Sequence, residues 1–121
     1  MSDDEKKILA VDDADIVLHV LNAFLRGSPY KLTSAASGET ALNFLQKYRP
    51  DLFILDIEMP DMDGYELAQK IRANGHTAPI IFLTGNSTEE SIIKALQVGA
   101  ADFIAKPISK AKLLERIAKF F

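Results

Sequence analysis

Short apolar segments alternate with amphipathic helical patterns along this chain, and this alternation constrains the fold more than any other feature. The predicted strands are Ile8–Val11, Tyr30–Ala35, Leu52–Leu55, Ile80–Leu83 and Phe103–Ala105. All but the second are almost wholly apolar, which is typical of strands that are covered on both faces of a parallel sheet. The second alternates apolar with polar residues, so it suits an edge strand.

Apolar residues at helical spacing fill the stretches between these strands and after the last one. They are Ile16, Val17, Val20, Leu21, Phe24 and Leu25, then Ala41, Leu42 and Leu45, then Leu67 and Ile71, then Ile92, Ile93 and Leu96, and finally Leu113, Leu114, Ile117, Ala118 and Phe121. Each stretch is therefore predicted to form a helix with one face against a sheet.

Start and stop signals agree with these helices. Asp63 with Glu66, and Ser87 with Glu90, have the spacing of a capping box at a helix N-terminus. Glycine accepts the left-handed backbone that often ends a helix, and a glycine follows three of the predicted helices. These glycines are Gly27, Gly75 and Gly99.

The alternation of five strands with five helices predicts an α/β fold of the doubly wound, flavodoxin-like type. The expected sheet is parallel and five-stranded, in the order 2-1-3-4-5, with helices on both faces. A length of 121 residues is that of one ordinary domain. We therefore expect a single domain over residues 1–121, in which residues 1–5 form a flexible tail.

Charge and composition argue against several classes of protein. A net charge of −3 does not provide the basic stripe of a nucleic-acid-binding protein. The absence of cysteine excludes disulfides and thiolate metal ligands. The apolar runs are far too short for a membrane helix, and the first residues do not form a signal peptide. These features predict a cytoplasmic protein that binds neither membranes nor nucleic acid directly.

Residues that can do chemistry follow four of the predicted strands. They are Asp12 and Asp13 after the first, Asp56 and Glu58 after the third, Thr84 at the end of the fourth, and Lys106 after the fifth. The carboxyl ends of parallel strands meet at one edge of a sheet, where ligands bind. Clustered carboxylates without His or Cys favour Mg²⁺, and a lysine with a hydroxyl suits a phosphoryl group. The set therefore predicts phosphoryl transfer, with Asp56 as the nucleophile.

Each of these residues, taken alone, also has an ordinary structural interpretation. Asp12 or Asp13 could cap the first helix, and Asp56 could simply end a strand. Thr84 could begin a turn, and Lys106 could be a surface residue at the start of a loop. The functional interpretation therefore depends on these side chains meeting in one pocket.

With these motifs the sequence resembles the receiver domains of two-component response regulators, from about residue 6 to residue 120. The motifs are Asp12-Asp13 after an apolar strand, Asp56 followed by Met-Pro-Asp-Met-Asp-Gly at positions 59–64, Thr84-Gly85, and Lys106-Pro107. The resemblance implies that Asp56 accepts a phosphoryl group from a phosphohistidine. The donor would be a sensor histidine kinase or a histidine phosphotransfer protein.

The resemblance also implies how a metal ion is held. Asp13 and Asp56 would bind Mg²⁺ directly, and Asp12 would act mostly through water. Glu58 would complete the protein ligands with its backbone carbonyl. The domain would catalyse only its own phosphorylation and dephosphorylation, so it would not be a turnover enzyme.

The resemblance further assigns a switch. Lys106 would pair with the phosphoryl group, Thr84 would turn its hydroxyl onto it, and Phe103 would then rotate inward. Phe103 has no phenolic hydroxyl, so this switch would work by packing. The Lys106–Pro107 bond is expected to be cis. The fourth helix, fifth strand and fifth helix would then bind a downstream protein.

Glu58 and Asn86 are predicted to lie beside the path of the water that attacks the aspartyl phosphate. We hypothesise that this pair tunes the lifetime of the phosphate. Residues argue against three other functions. A haloacid-dehalogenase-like phosphatase is suggested weakly by Asp56 and Glu58 at a spacing of two, but its nucleophile would follow the first strand. An unphosphorylated interaction module should have lost an acid, the threonine or the lysine, and none is missing. A flavin-binding protein would need a Ser/Thr/Gly-rich loop after the first strand, where this chain has two acids instead. Output by binding a target and output by relay of the phosphoryl group are both compatible with the sequence.

Overall fold

The computed structural model describes residues 5–86 and 88–121. The predicted flexible tail of residues 1–5 lies outside them, except for Glu5, which is exposed. Strands and helices alternate in the order β1 (Lys6–Val11), α1 (Asp15–Leu25), β2 (Tyr30–Ala35), α2 (Gly38–Phe44), β3 (Leu52–Asp56), α3 (Gly64–Ala73), β4 (Ile80–Thr84), α4 (Glu89–Gln97), β5 (Asp102–Ala105) and α5 (Lys110–Ala118).

The five strands form one parallel sheet in the order β2-β1-β3-β4-β5. This order confirms the predicted doubly wound fold. Strand β3, in the middle of the sheet, is buried along its whole length, whereas β2 at one edge buries only its last residue. The contrast matches the apolar and the alternating sequences of the two strands.

Two apolar cores lie on opposite faces of the sheet, because successive side chains of each strand point to opposite sides. On one face, Phe53 of β3 and Phe82 of β4 pack with residues from α2, α3 and α4. On the other face, Ile54 and Ile81 pack with residues from α1 and α5. The sheet is therefore held between a layer of three helices and a layer of two.

The helix boundaries follow the local signals in part. Asp63 is the N-cap of α3 and accepts a hydrogen bond from the Glu66 backbone N–H at 2.9 Å. The predicted cap at Ser87 lies outside the described residues, and the N-cap of α4 is Thr88, which accepts from the Ser91 backbone N–H. All three predicted helix-ending glycines have positive φ angles, of 82°, 91° and 85°.

Helix α4 departs from the predicted pattern, because most of its apolar stripe faces away from the core. Only Ala95 of this helix is buried, whereas the exposed fractions of Ile93 and Leu96 are 48% and 65%. This helix is nine residues long and buries one small side chain, that of Ala95, while the longer side chains of Ile93 and Leu96 stay exposed. In the described part of the chain, no helix has the length and apolar character needed to cross a membrane.

Candidate functional site

The register of the sheet places the first and third strands level at their carboxyl ends. Val11 pairs with Leu55, so Asp12 and Asp56 come next on neighbouring strands. Both aspartates are buried, whereas Asp13 is exposed at the start of the following turn. One carboxylate oxygen from each of the three lies within 4.8 Å of the others. The predicted acid cluster therefore forms at the edge where the strand order reverses.

Hydrogen bonds donated by backbone N–H groups hold the two loops that carry these acids. Asp12 Oδ1 accepts a hydrogen bond from the Ala14 backbone N–H at 2.9 Å, which fixes the carboxylate against the first turn. After β3 the chain folds back, and the Gly64 N–H donates to the Ile57 carbonyl at 2.9 Å. A Cβ on Gly64 would lie 2.8 Å from the Ile57 Cα and would collide with the Asp56 carbonyl. The loop can close this tightly only with glycine at that position.

Lys106 brings a cation to the acids from the last strand. Its Nζ donates to Asp56 Oδ1 at 3.1 Å and lies 3.0 Å from Asp12 Oδ2. Its backbone N–H donates to the Thr84 carbonyl at 2.8 Å, which anchors the end of β5 to the end of β4. The bond between Lys106 and Pro107 is cis, as predicted.

Burial dominates the electrostatics of Asp56. The pKa of Asp56 is raised from 3.8 to about 6, because burial and, second to it, the charge of Asp12 raise the pKa by more than Lys106 lowers it. Burial also acts to lower the pKa of Lys106, but its contacts with Asp12 and Asp56 outweigh burial and raise the pKa above its usual value. The ammonium therefore stays charged and only partly compensates the two buried carboxylates.

The charge balance and one carboxylate oxygen without a hydrogen bond are compatible with a divalent cation in this pocket. Lys106 offers one positive charge to the carboxylates of Asp12, Asp13 and Asp56. Among the described residues, no donor is aligned for a hydrogen bond to buried Asp12 Oδ2, because its contact with Lys106 is an ion pair without hydrogen-bond geometry. An oxygen-only set of carboxylates is the type of site that binds hard cations.

The end of β4 forms a second part of the site. Thr84 is buried, and its hydroxyl donates to the Asn86 carbonyl at 3.1 Å and accepts from the Asn86 N–H at 3.0 Å. Glu58 faces this turn. Its Oε1 accepts from the Gly85 N–H at 3.3 Å and lies 3.5 Å from Thr84 Oγ1, while its own N–H contacts Asp56 Oδ1 at 3.4 Å.

Phe103 is half-buried on β5 and packs against the core that contains α4.

Tyr65, which no sequence motif indicated, joins α3 to α4. Its hydroxyl donates to the Ser91 carbonyl at 3.1 Å, and its ring lies edge-on to Phe82 with centroids 5.5 Å apart. Lys94 covers the same ring, with its Nζ 4.7 Å from the centroid. Nothing in the helical spacing around Tyr65 distinguishes such a bridge from ordinary core packing.

The model of the response regulator receiver domain family matches residues 8–118. The chain therefore belongs to the response regulator receiver domains, which are signalling domains of two-component systems. This confirms the family that the motifs indicated.

Individual relatives agree with this assignment. A probable cyclic di-GMP phosphodiesterase of Vibrio cholerae is 40% identical over 91% of this chain and 25% of its own length. The chemotaxis protein CheY4 of Vibrio cholerae superimposes with a TM-score of 0.91 at 31% identity, covering 96% of this chain and 98% of that one. A BeF3-activated DrrB receiver domain gives a TM-score of 0.86 at 30% identity, covering 95% and 96%.

The curated relatives are mostly much longer than this chain. The chain spans 25%, 47% and 48% of three of them, which is half of their length or less. The similarity therefore concerns the receiver domain and not the other parts of those proteins.

Proposed function

We propose that this domain is a phospho-accepting response regulator in which Asp56 takes a phosphoryl group from a histidine. The phosphohistidine would belong to a sensor histidine kinase or a histidine phosphotransfer protein. The observation that carries the proposal is the position of Asp56, whose buried carboxylate lies at the end of the central strand with Lys106 3.1 Å away.

The chemistry is a transfer between two nucleophiles. A carboxylate oxygen of Asp56 forms a bond to phosphorus while the bond from phosphorus to the histidine nitrogen breaks. The electron pair of that bond stays on the imidazole, which then takes up a proton. Lys106 contacts Asp56 already and offers its charge to the phosphoryl oxygens, where negative charge must be stabilised. Positioning and electrostatics supply most of the rate.

A magnesium ion is part of the proposal. Asp13 and Asp56 would hold it with their carboxylates, Asp12 mostly through water, and Glu58 with its backbone carbonyl. The buried oxygen of Asp12 that has no hydrogen bond among the described residues supports such a site. When bound, Mg²⁺ would neutralise charge on the acids and on the incoming group. Because the uncompensated carboxylates repel an anion, phosphorylation should depend on this ion.

The proposed switch uses residues on the side of β4 and β5. Thr84 would exchange its contacts with Asn86 for a contact with the phosphoryl group, and Phe103 would move further into the core. The surface formed by α4, β5 and α5 would then change shape. Its exposed side chains Ile93 and Leu96 would contact a protein partner.

The lifetime of the phosphate is proposed to depend on Glu58 and Asn86, which both contact the turn after β4. Autodephosphorylation of Glu58→Ala and Asn86→Ala should therefore differ from the parent rate. Phosphate release from protein that has been loaded and freed of donor measures this directly. If both variants match the parent, the two residues do not tune the lifetime.

The proposal also includes where the domain acts and how it passes on its signal. The domain would act in the cytoplasm, without contacting membrane or nucleic acid itself, and would not turn over an external substrate. Output would be the binding of a protein partner or the return of the phosphoryl group to a histidine.

The experiment is incubation with phosphoramidate, a small phosphodonor, with and without Mg²⁺. Intact mass should increase by one phosphoryl group only when the metal is present. Loss of the mass increase with a chelator supports the metal site. A phosphorylated parent that also hydrolyses general phosphate esters catalytically would instead favour the phosphatase alternative.

A further inference from the structure

The side chain of Glu58 occupies a hydrogen-bond donor that the proposed phosphoryl group would need, and it lies beside a second one. Its Oε1 accepts from the Gly85 N–H at 3.3 Å and lies 3.5 Å from the Thr84 hydroxyl. The backbone N–H of Glu58 contacts Asp56 Oδ1 at 3.4 Å. The Glu58 side chain therefore starts directly beside Asp56, the proposed acceptor of the phosphoryl group. An anion attached to Asp56 would enter the same small space.

We infer that the Glu58 carboxylate is an internal competitor of the phosphoryl group, which holds the turn after β4 in its unphosphorylated arrangement. This inference rests on the proposed function and concerns an equilibrium, whereas tuning of the phosphate lifetime concerns a rate. Glu58 is a positioning residue, since it acts through the Gly85 N–H that it accepts from and through its position beside the Thr84 hydroxyl.

Hydrogen-bond capacity supports the competition. The Thr84 hydroxyl carries one hydrogen, which it donates to the Asn86 carbonyl at 3.1 Å, the shorter of its two acceptor contacts. The Gly85 N–H also has one hydrogen, and it is directed at Glu58. A phosphoryl oxygen can gain that donor only when the carboxylate leaves it.

Charge supports the same conclusion. A carboxylate and a phosphoryl group are both anions, and they repel one another when they share one set of donors. Lys106 is engaged by Asp12 and Asp56 and has no contact with Glu58 within salt-bridge distance among the described residues. Displacing Glu58 toward solvent is feasible because the residue is exposed. The Glu58 carboxylate therefore favours the unphosphorylated arrangement of the turn after β4, but it does not prevent phosphorylation.

The first test uses neither metal nor phosphate. The amide of Gly85 is followed by ¹⁵N NMR in the parent, in Glu58→Ala and in the control Glu5→Gln, which removes an exposed acid just before β1. Loss of the Glu58 acceptor should shift the Gly85 amide resonance and speed its hydrogen exchange by about 3-fold or more, as expected for a broken hydrogen bond. The control should leave both unchanged. If the Gly85 resonance and its exchange rate are unchanged in Glu58→Ala, the hydrogen bond from Gly85 to Glu58 does not form.

The second test measures the affinity for beryllofluoride, a phosphoryl mimic, with saturating Mg²⁺. Glu58→Gln removes the charge but keeps the length of the side chain, and it should bind the mimic about 3- to 10-fold more tightly than the parent, since about 1 kcal/mol of repulsion and competition is relieved. Glu5→Gln should match the parent. Glu58→Ala should bind at least as tightly as Glu58→Gln.

The outcomes separate the inference from the proposal on which it rests. If the parent does not bind beryllofluoride at all, the proposed function fails. If the parent binds it and both Glu58 variants bind equally or more weakly, the proposed function stands and the competition is wrong. Tighter binding in Glu5→Gln as well would show a general effect of net charge, and would also overturn the inference.

Discussion

The ammonium of Lys106 lies 3.1 Å from Asp56 Oδ1, although the two residues are 50 positions apart in the chain. The contact spans from β3 across β4 to the end of β5, so it forms only when the sheet is complete. The same ammonium also lies 3.0 Å from Asp12 Oδ2. One lysine therefore links the acid cluster to the far side of the sheet, where the proposed switch is located.

Replacement of this lysine should slow phosphorylation. In Lys106→Ala the acids lose a cation that would stabilise the transferred group, and removal of one such stabilising donor costs an enzyme about 100-fold or more in rate. We expect phosphorylation by phosphoramidate with Mg²⁺, followed by intact mass, to slow by about 10- to 100-fold. Lys112→Ala removes an exposed lysine of α5 and should behave as the parent does. Equal rates in both variants would remove Lys106 from the mechanism.

The raised pKa of Asp56 predicts a pH dependence of stability in the absence of metal. Because the pKa is about 6 in the folded protein and 3.8 in the unfolded reference, the folded state holds this proton more tightly. Stability from this group is therefore fully present below pH 4 and is lost as the pH rises through 6. At pH 7 the free energy of unfolding of Asp56→Asn should be about 1–3 kcal/mol higher than that of the parent.

Denaturant titrations with a chelator at pH 4 and pH 7 measure this difference. The gain of Asp56→Asn should be present at pH 7 and should shrink toward zero at pH 4. A gain of the same size at both pH values would mean that it does not arise from the ionised carboxylate.

Mg²⁺ should stabilise the parent protein against heat. The ion would bind the folded acid cluster and relieve the repulsion between Asp12 and Asp56, so the melting temperature should rise with metal concentration in the millimolar range. The rise should be smaller in Asp56→Asn, which lacks one ligand charge. Scanning calorimetry with and without metal tests this, and identical melting curves would contradict a preformed site.

Gly64 should be far less tolerant of a methyl group than Gly38, although each is the first residue of a helix. A Cβ at Gly64 would meet backbone atoms of Asp56 and Ile57, whereas one at Gly38 would meet the flexible side chain of Met62, with the sulfur at 2.7 Å. Gly64→Ala should lose about 1–3 kcal/mol of unfolding free energy, as overpacking typically does, and Gly38→Ala should lose clearly less. Urea denaturation compares them, and equal losses would contradict the close approach of the loop.

The sequence predicts the sheet order and the meeting of Asp12, Asp56 and Lys106, because parallel strands bring their carboxyl ends to one edge whatever the details of packing. The direction of the Glu58 carboxylate is different. It depends on donors at the end of β4, which lie 26 and 27 residues further on and have no periodic relation to Glu58.

The exposure of one face of α4 also could not be predicted from the sequence. Helical spacing predicts that Ile93 and Leu96 share a face, but not that the face is exposed. That depends on how a short helix lies against the sheet. The hydrogen bond from Tyr65 to α4 depends on the same placement.

The central claim is that Asp56 carries the phosphoryl group, and locating that group tests it most directly. Protein treated with phosphoramidate and Mg²⁺ is reduced with borohydride, which converts an aspartyl phosphate into homoserine, and the modified peptide is sequenced by mass spectrometry. The account predicts homoserine at position 56 in the parent and no modification in Asp56→Asn. Modification at another residue, or none in the parent, would contradict it.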